Sequence, residues 1–197
     1  MSQSNYSSIS PEQAGDRKCI SSCLPVPGDR APELRAVRLD NGQTWDLHVS
    51  RPERFTLIVF YRGVHCPICR EQLEELEQNL AAFRERGIEV VAVSCDDEER
   101  ARKSASEWAV DDLSIVFGLE LDTVRDWGLF VSRAIGEHEP KHFCEPGMFL
   151  VDREGRLYAA WVQSVPFVRP ALTDLLKALD FIRDKDYPAR GTVAQAA

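Results

Sequence analysis

Cys66-Pro67-Ile68-Cys69 is the chain's clearest concentration of reactive groups. It follows an apolar run, Phe55 to Tyr61, and opens a segment with helical spacing. A C-x-x-C pair placed between a strand and a helix reads as a redox centre. The unsatisfied N–H groups and partial positive charge of a helix N-terminus stabilise a thiolate, lowering a cysteine pKa from about 8.5. Three-residue spacing over the first turn brings both sulfurs within bonding reach, so one thiol can attack and the other can resolve a mixed disulfide. The competing use is zinc: Cys19 and Cys23 could complete four thiolates, and His65 is adjacent. Pro67 and the helix running directly from the motif favour the redox geometry.

Other candidates are weaker singly. Cys144 lies two residues before Pro146 and is a possible redox partner if Pro146 faces the motif. Cys95 ends a strand, where a small core residue is the plainer role. His65 could stabilise a thiolate or carry a proton, or simply face solvent. His138 and His142 fall in an irregular stretch with no assigned partner.

The elements that must position the motif can be read from periodicity. Leu34, Val37 and Leu39, then Asp40-Asn41-Gly42, then Trp45, Leu47 and Val49 predict a β-hairpin. Phe55–Tyr61, apolar on both faces apart from Thr56, predicts a central strand covered by helices. Leu73, Leu76, Leu80 and Phe83 predict an amphipathic helix from about Pro67 to Arg86, stopped by Gly87. Ile88–Cys95 is a second buried strand, Asp96 to Val110 a second helix and Ile115 to Gly118 a short strand, followed by a helical turn over Asp122 to Leu129. Val131 to Glu145 is less regular; Met148–Asp152 and Leu157–Val162 form another hairpin, and a helix from about Pro170 to Asp184 closes the domain. This order predicts an α/β thioredoxin-like fold: a central mixed sheet flanked by helices, with an N-terminal hairpin extension. The domain is expected over residues 28–190, preceded by a flexible arm, 1–27, and followed by a tail, 191–197. Trp161, Val162, Val165, Pro166 and Phe167 form an apolar run suited either to core packing or to a partner or homodimer surface.

Composition limits the function. The net charge of −8 argues against nucleic acid and anionic membranes as partners, because the summed field repels phosphate. The longest mainly apolar run is far shorter than the ~20 residues that cross a bilayer. The start, MSQSNYSSIS, has no apolar stretch or basic leader, so a reducing cytoplasm is expected. In that compartment six cysteines suggest catalysis, sensing or metal binding rather than a disulfide scaffold.

Several motifs resemble the peroxiredoxin superfamily of the alkyl hydroperoxide reductase/thiol-specific antioxidant (AhpC/TSA) type. Gly28-Asp29-Arg30-Ala31-Pro32-Glu33-Leu34 resembles its opening G-D-x-A-P-x-F. Phe60-Tyr61, with seven residues to Cys69, matches the spacing of F-Y-P-x-x-x-T-x-x-C. Val93-Ser94-Cys95-Asp96 resembles V-S-x-D, and Gly147 to Asp152 resembles G-x-F-x-I-D. The departures fall on catalytic positions. Cys66 replaces the peroxide-binding threonine, Arg62 stands where the proline of F-Y-P would be, and Pro146 replaces the peroxide-polarising arginine. Pro146 instead resembles the cis-proline that faces the C-x-x-C of thioredoxin-like oxidoreductases.

The resemblance therefore implies a peroxiredoxin-like scaffold with thioredoxin-type chemistry, an oxidoreductase without cofactor or metal. By thioredoxin logic Cys66 is the nucleophile, the more exposed thiol, and Cys69 resolves; by peroxiredoxin spacing the order is reversed. The missing tuning residues favour Cys66, and Arg62 is a candidate cation for its thiolate or for an oxyanion. The substrate is a disulfide or a hydroperoxide, and a thioredoxin-like or low-molecular-weight thiol restores the protein. A non-catalytic redox sensor or zinc-binding module is the reading from a different class.

Overall fold

The computed structural model describes residues 24–193. Cys19 and Cys23, with most of the expected arm, lie outside the described residues. The predicted hairpin is present as antiparallel strands β1 (Arg35–Arg38) and β2 (Thr44–Asp46). It is followed by β3 (Phe55–Phe60), α1 (Pro67–Arg84), β4 (Ile88–Val93), α2 (Glu98–Trp108) and β5 (Ser114–Phe117). Then come α3 (Leu121–Asp126), β6 (Val131–Arg133), β7 (His142–Cys144), β8 (Gly147–Asp152), β9 (Leu157–Val162) and α4 (Leu172–Lys185).

Seven strands form one mixed sheet in the order β2-β1-β5-β4-β3-β8-β9. At its centre β3 runs parallel to β4 and antiparallel to β8, with Phe60 opposite Val93 on one side and Gly147 on the other. Every β3 residue is buried, as its two-sided apolar pattern requires. Strand alternation divides its side chains: Leu57, Val59 and Tyr61 join the core beneath α1, α2 and α4, while Ile58 and Phe60 join the opposite core with Trp127 and Phe149.

The stretch Val131 to Glu145, read as irregular, contains the small antiparallel sheet β6–β7, with Val131 opposite Cys144. Its strands have three residues each, too few for alternation to show in sequence. The helical turn begins at Leu121 and ends at Asp126, short of the expected Leu129. No helix among the described residues is long and apolar enough to cross a membrane.

Candidate active site

The site is at the carboxyl end of β3, where the chain turns into α1. Cys66 is the N-cap of α1, with extended backbone angles, and Pro67 occupies the first turn. Proline is favoured there because its fixed φ suits the helix and its missing N–H would be unpaired in any case. The Cys66 sulfur accepts the Cys69 N–H at 3.2 Å, taking the role that a serine or aspartate oxygen has at an ordinary N-cap. Leu73, Leu76 and Phe83 are fully buried on the inner face and fix the helix against the sheet.

The loop between strand and helix is clamped from below. The buried Asp96 carboxylate accepts the Val64 N–H at 2.8 Å and the Arg100 Nε–H at 2.9 Å. Gly63 has φ +124°, and a Cβ there would lie 2.5 Å from Asp96 Oδ1, so the close approach requires glycine. Burial raises the Asp96 carboxyl above its ordinary value, against the lowering effect of Arg100 and the Val64 N–H.

Both thiols of the motif lie beneath the surface. Cys66 is 1% exposed and Cys69 0%, so the greater exposure expected of Cys66 is slight. They differ in electrostatics. Hydrogen bonding from the Cys69 thiol lowers the Cys66 pKa to about 6 against the cost of burial, with added help from the Cys69 N–H, Arg169 and Arg62. Burial pushes the Cys69 thiol well above its ordinary value, and the hydrogen bond to Cys66 pushes it further. The pair therefore shares one proton, held on Cys69, and carries its negative charge on Cys66.

The guanidinium that touches the sulfurs is not Arg62. Arg169 donates from Nη2 to Cys69 Sγ at 3.1 Å and reaches Cys66 Sγ at 3.9 Å. Its Nη1 binds Gln72 Oε1, its Nε binds the Pro166 carbonyl at 3.0 Å, and Gln72 Nε2 in turn meets Met148 Sδ at 3.4 Å. The side chain is thus held at both ends. Arg62 instead pairs with Glu139 at 3.2 Å and with the buried Glu145 at 3.5 Å, its guanidinium 4.6 Å from the centre of the Phe143 ring. Two carboxylates compensate most of its charge, and its direct contribution is the backbone N–H, 3.4 Å from Cys69 Sγ.

Pro146 is buried immediately before β8, and the register sets it next to the Tyr61 end of β3. Its carbonyl accepts the Gln163 N–H at 3.0 Å. The described chain contains no cis peptide bond, so Glu145–Pro146 is trans and differs from the cis arrangement that the thioredoxin resemblance suggested. Cys144 is fully buried and donates to the Tyr61 carbonyl at 3.2 Å, on the opposite side of the peptide whose N–H reaches Cys69. His65 is held neutral, its pKa lowered to about 4 by burial and by Arg62 and Arg100. It packs edge-on against Phe143 and cannot supply a positive charge to the thiolate at neutral pH.

Among the described residues no group of three or more His, Cys, Asp or Glu is arranged to hold a metal ion. Arg169, Gln72 and Asp96 were missed as site residues in the sequence. Only Asp96 carried a local signal, its place directly after the second strand. A cleft of about 580 Å³ is lined by Trp161, Val162, Val168, Arg169, Pro170 and Leu175. Of the five-residue apolar run expected to be core or interface, Trp161 and Val162 are therefore cleft wall, while Val165 and Phe167 face solvent.

The chain is similar to several known proteins. A 1-Cys peroxiredoxin of Medicago truncatula is 31% identical over 84 residues, which cover 43% of this chain and 36% of that protein. The reduced 2-Cys peroxiredoxin of Plasmodium vivax superposes with a TM-score of 0.65 at 18% identity, covering 82% of this chain and 98% of that one. A peroxiredoxin-like protein from Aquifex aeolicus gives a TM-score of 0.65 at 16% identity, over 81% and 88% of the two chains. At such identities the structural matches establish the fold alone. The AhpC/TSA family profile matches residues 27–160, and with the C-x-x-C at the start of α1 this makes the chain a peroxiredoxin-like, thioredoxin-fold member of the AhpC/TSA family.

Proposed function

We propose that the protein is a thiol-dependent oxidoreductase whose Cys66–Cys69 pair cycles between dithiol and disulfide, with Cys66 as nucleophile. The observation that carries this reading is the placement of Cys66 as the helix N-cap, its sulfur accepting the Cys69 N–H at 3.2 Å; this favours the Cys66 thiolate, while burial favours the protonated form of Cys69. The Cys66 thiolate attacks one sulfur of a substrate disulfide and expels the other as thiolate. Cys69 then loses its proton and attacks Cys66, releasing the second substrate thiol and leaving the Cys66–Cys69 disulfide. A thioredoxin-like or low-molecular-weight dithiol returns two electrons. The cleft that Arg169 helps to line supports a substrate with an organic body next to its reacting sulfur or oxygen.

Hydroperoxide reduction is the second reading, supported by family membership and by Arg169. Its guanidinium could stabilise charge on an O–O bond undergoing cleavage, the task of the arginine absent from position 146. In that version Cys69 forms a sulfenic acid and Cys66 condenses with it, releasing water.

Single Cys→Ser variants assayed against a chromogenic disulfide and against hydrogen and alkyl hydroperoxides separate the two. Loss of disulfide reduction in Cys66→Ser, with a trapped mixed disulfide at Cys66 in Cys69→Ser, is the expected result. Retained disulfide reduction in Cys66→Ser would overturn the assignment, and peroxide turnover by that variant would favour the second reading. A reducing cytoplasm and a homodimer belong to the same proposal.

A further inference from the structure

β9 is an outer strand of the seven-stranded sheet, and the ground between it and α4 is not closed. Besides the cleft that Arg169 helps to line, a second cleft of about 570 Å³ lies between β9 and the later turns of α4. Trp161 and Ala178 line both, so the two meet there and form one trough along strand and helix. Its helical wall runs from the N-cap Ala171 through Leu175 and Ala178 to Ile182, one stripe at spacings of three and four. At the rise of an α-helix that stripe is about 16 Å long. Half of the ~30 Å hydrocarbon thickness of a bilayer, the reach of one acyl chain, is about the same.

The two ends of the trough differ in charge. At one end the Arg169 guanidinium is already committed to Cys69, Gln72 and the Pro166 carbonyl, and Asp174 pairs with Lys177 at 3.3 Å. At the other end Arg190 is the one charged side chain among the described residues that line the second cleft. The carboxylates late in α4, Asp180 and Asp184, pair with Arg86 and Arg183, and Arg190 has no ion pair among the described residues. Tyr158 donates to the Tyr187 carbonyl at 2.5 Å, which ties the segment leading to Arg190 to β9. Phe181, 52% exposed beside the Tyr187 ring, adds apolar surface to this end.

We propose that the trough between β9 and α4 binds a long-chain fatty carboxylate, its head group on Arg190 and its chain running past Trp161 toward the Arg169 cleft. The apolar walls take the chain out of water, and the uncompensated cation takes the charge in a charge-assisted hydrogen bond. The reverse orientation would set the carboxylate beside Asp174 and an arginine whose donors are in use. The site is independent of which reaction Cys66–Cys69 performs.

The test uses the full chain and cis-parinaric acid, whose fluorescence reports binding, with palmitate, octanoate and methyl palmitate as competitors below their micelle concentrations. Saturable binding that palmitate displaces is expected, with octanoate weaker because each methylene removed from an apolar wall costs about two- to fourfold. Methyl palmitate should compete about five- to tenfold less well than palmitate. Arg190→Gln should erase that preference and Arg190→Lys restore part of it, whereas Arg102→Gln, the same change of charge on α2, should leave it intact. Ala178→Trp, at an exposed position of α4 where the two clefts meet, should abolish binding with an unchanged Tm. Absence of saturable binding, equal competition by acid and ester, or wild-type binding by Arg190→Gln would each overturn the proposal. A dimer that Ala178→Trp dissociates, in a chain that does not bind palmitate, would assign the trough to a second copy and overturn it as well.

Discussion

Arg169 donates to the sulfur of Cys69 at 3.1 Å from a position that follows β9, on the far side of the sheet's edge in sequence order. The contact places the site's positive charge on the segment between β9 and α4, a segment that also forms the wall of the adjoining cleft. In that segment Val168 is 93% exposed and adopts φ +56°, which is strained for a β-branched residue.

Arg169→Ala should slow alkylation of Cys66 at neutral pH. Loss of one charge partner is worth about one pKa unit, or ~1.4 kcal/mol. It should also make the Cys66–Cys69 disulfide less oxidising, because the cation stabilises the reduced, thiolate form; a tenfold change in the equilibrium corresponds to about 30 mV. Arg169→Lys should recover part of both effects, since it keeps the charge but not the bidentate fork. Iodoacetamide kinetics and equilibration with a glutathione series measure the two quantities.

The pH profile of Cys66 reactivity follows from its lowered pKa. As an acid stabilised in its charged form, Cys66 should gain reactivity as pH rises through about 6 and reach its plateau near neutrality. Cys69 should stay unreactive across that range, its thiol held well above its ordinary pKa by burial. Cys69→Ala should move the Cys66 midpoint upward, because the first contributor to the lowering is the Cys69 thiol; Cys69→Ser, which keeps an O–H donor, should move it less.

His65 should make the fold acid-sensitive in a defined window. Its folded pKa, about 4, lies below the ordinary 6.5, so between these values the unfolded chain binds a proton that the folded chain excludes. Stability is therefore lost as pH falls from 6.5 toward 4, by roughly 1–2 kcal/mol from this residue once solvent screening of the half-buried ring is allowed for. His65→Phe keeps an aromatic ring near Phe143 and should flatten the stability difference across that window. Denaturant unfolding of both proteins at a series of pH values measures the difference, which also cancels the opposing titration of Asp96.

Gly63→Ala should cost about 2–4 kcal/mol, because the new Cβ meets the Asp96 carboxylate at 2.5 Å and the backbone stands at φ +124°. Displacing Asp96 also frees Val64 and Arg100, so Cys66 reactivity should fall with stability. Gly136→Ala, which meets nothing within 4 Å, should be close to neutral in both thermal unfolding and alkylation.

Short-range rules carried the reading of the elements around the motif. The two-sided apolar run of β3, the Leu73–Leu76–Leu80–Phe83 stripe and the Cys66-Pro67 helix start each depend on residues a few positions apart, so they were visible in the chain. The β6–β7 pair was not, because three-residue strands are held by their partner rather than by their own pattern. The site divides in the same way. The sequence by itself determined the thiol pair, its position at a helix N-terminus and the protein's relation to the AhpC/TSA family. Tertiary structure decided which cation serves it: Arg62, close in sequence, is drawn off by Glu139 and Glu145, and Arg169 reaches the sulfurs because α1 and the β9–α4 segment pack together.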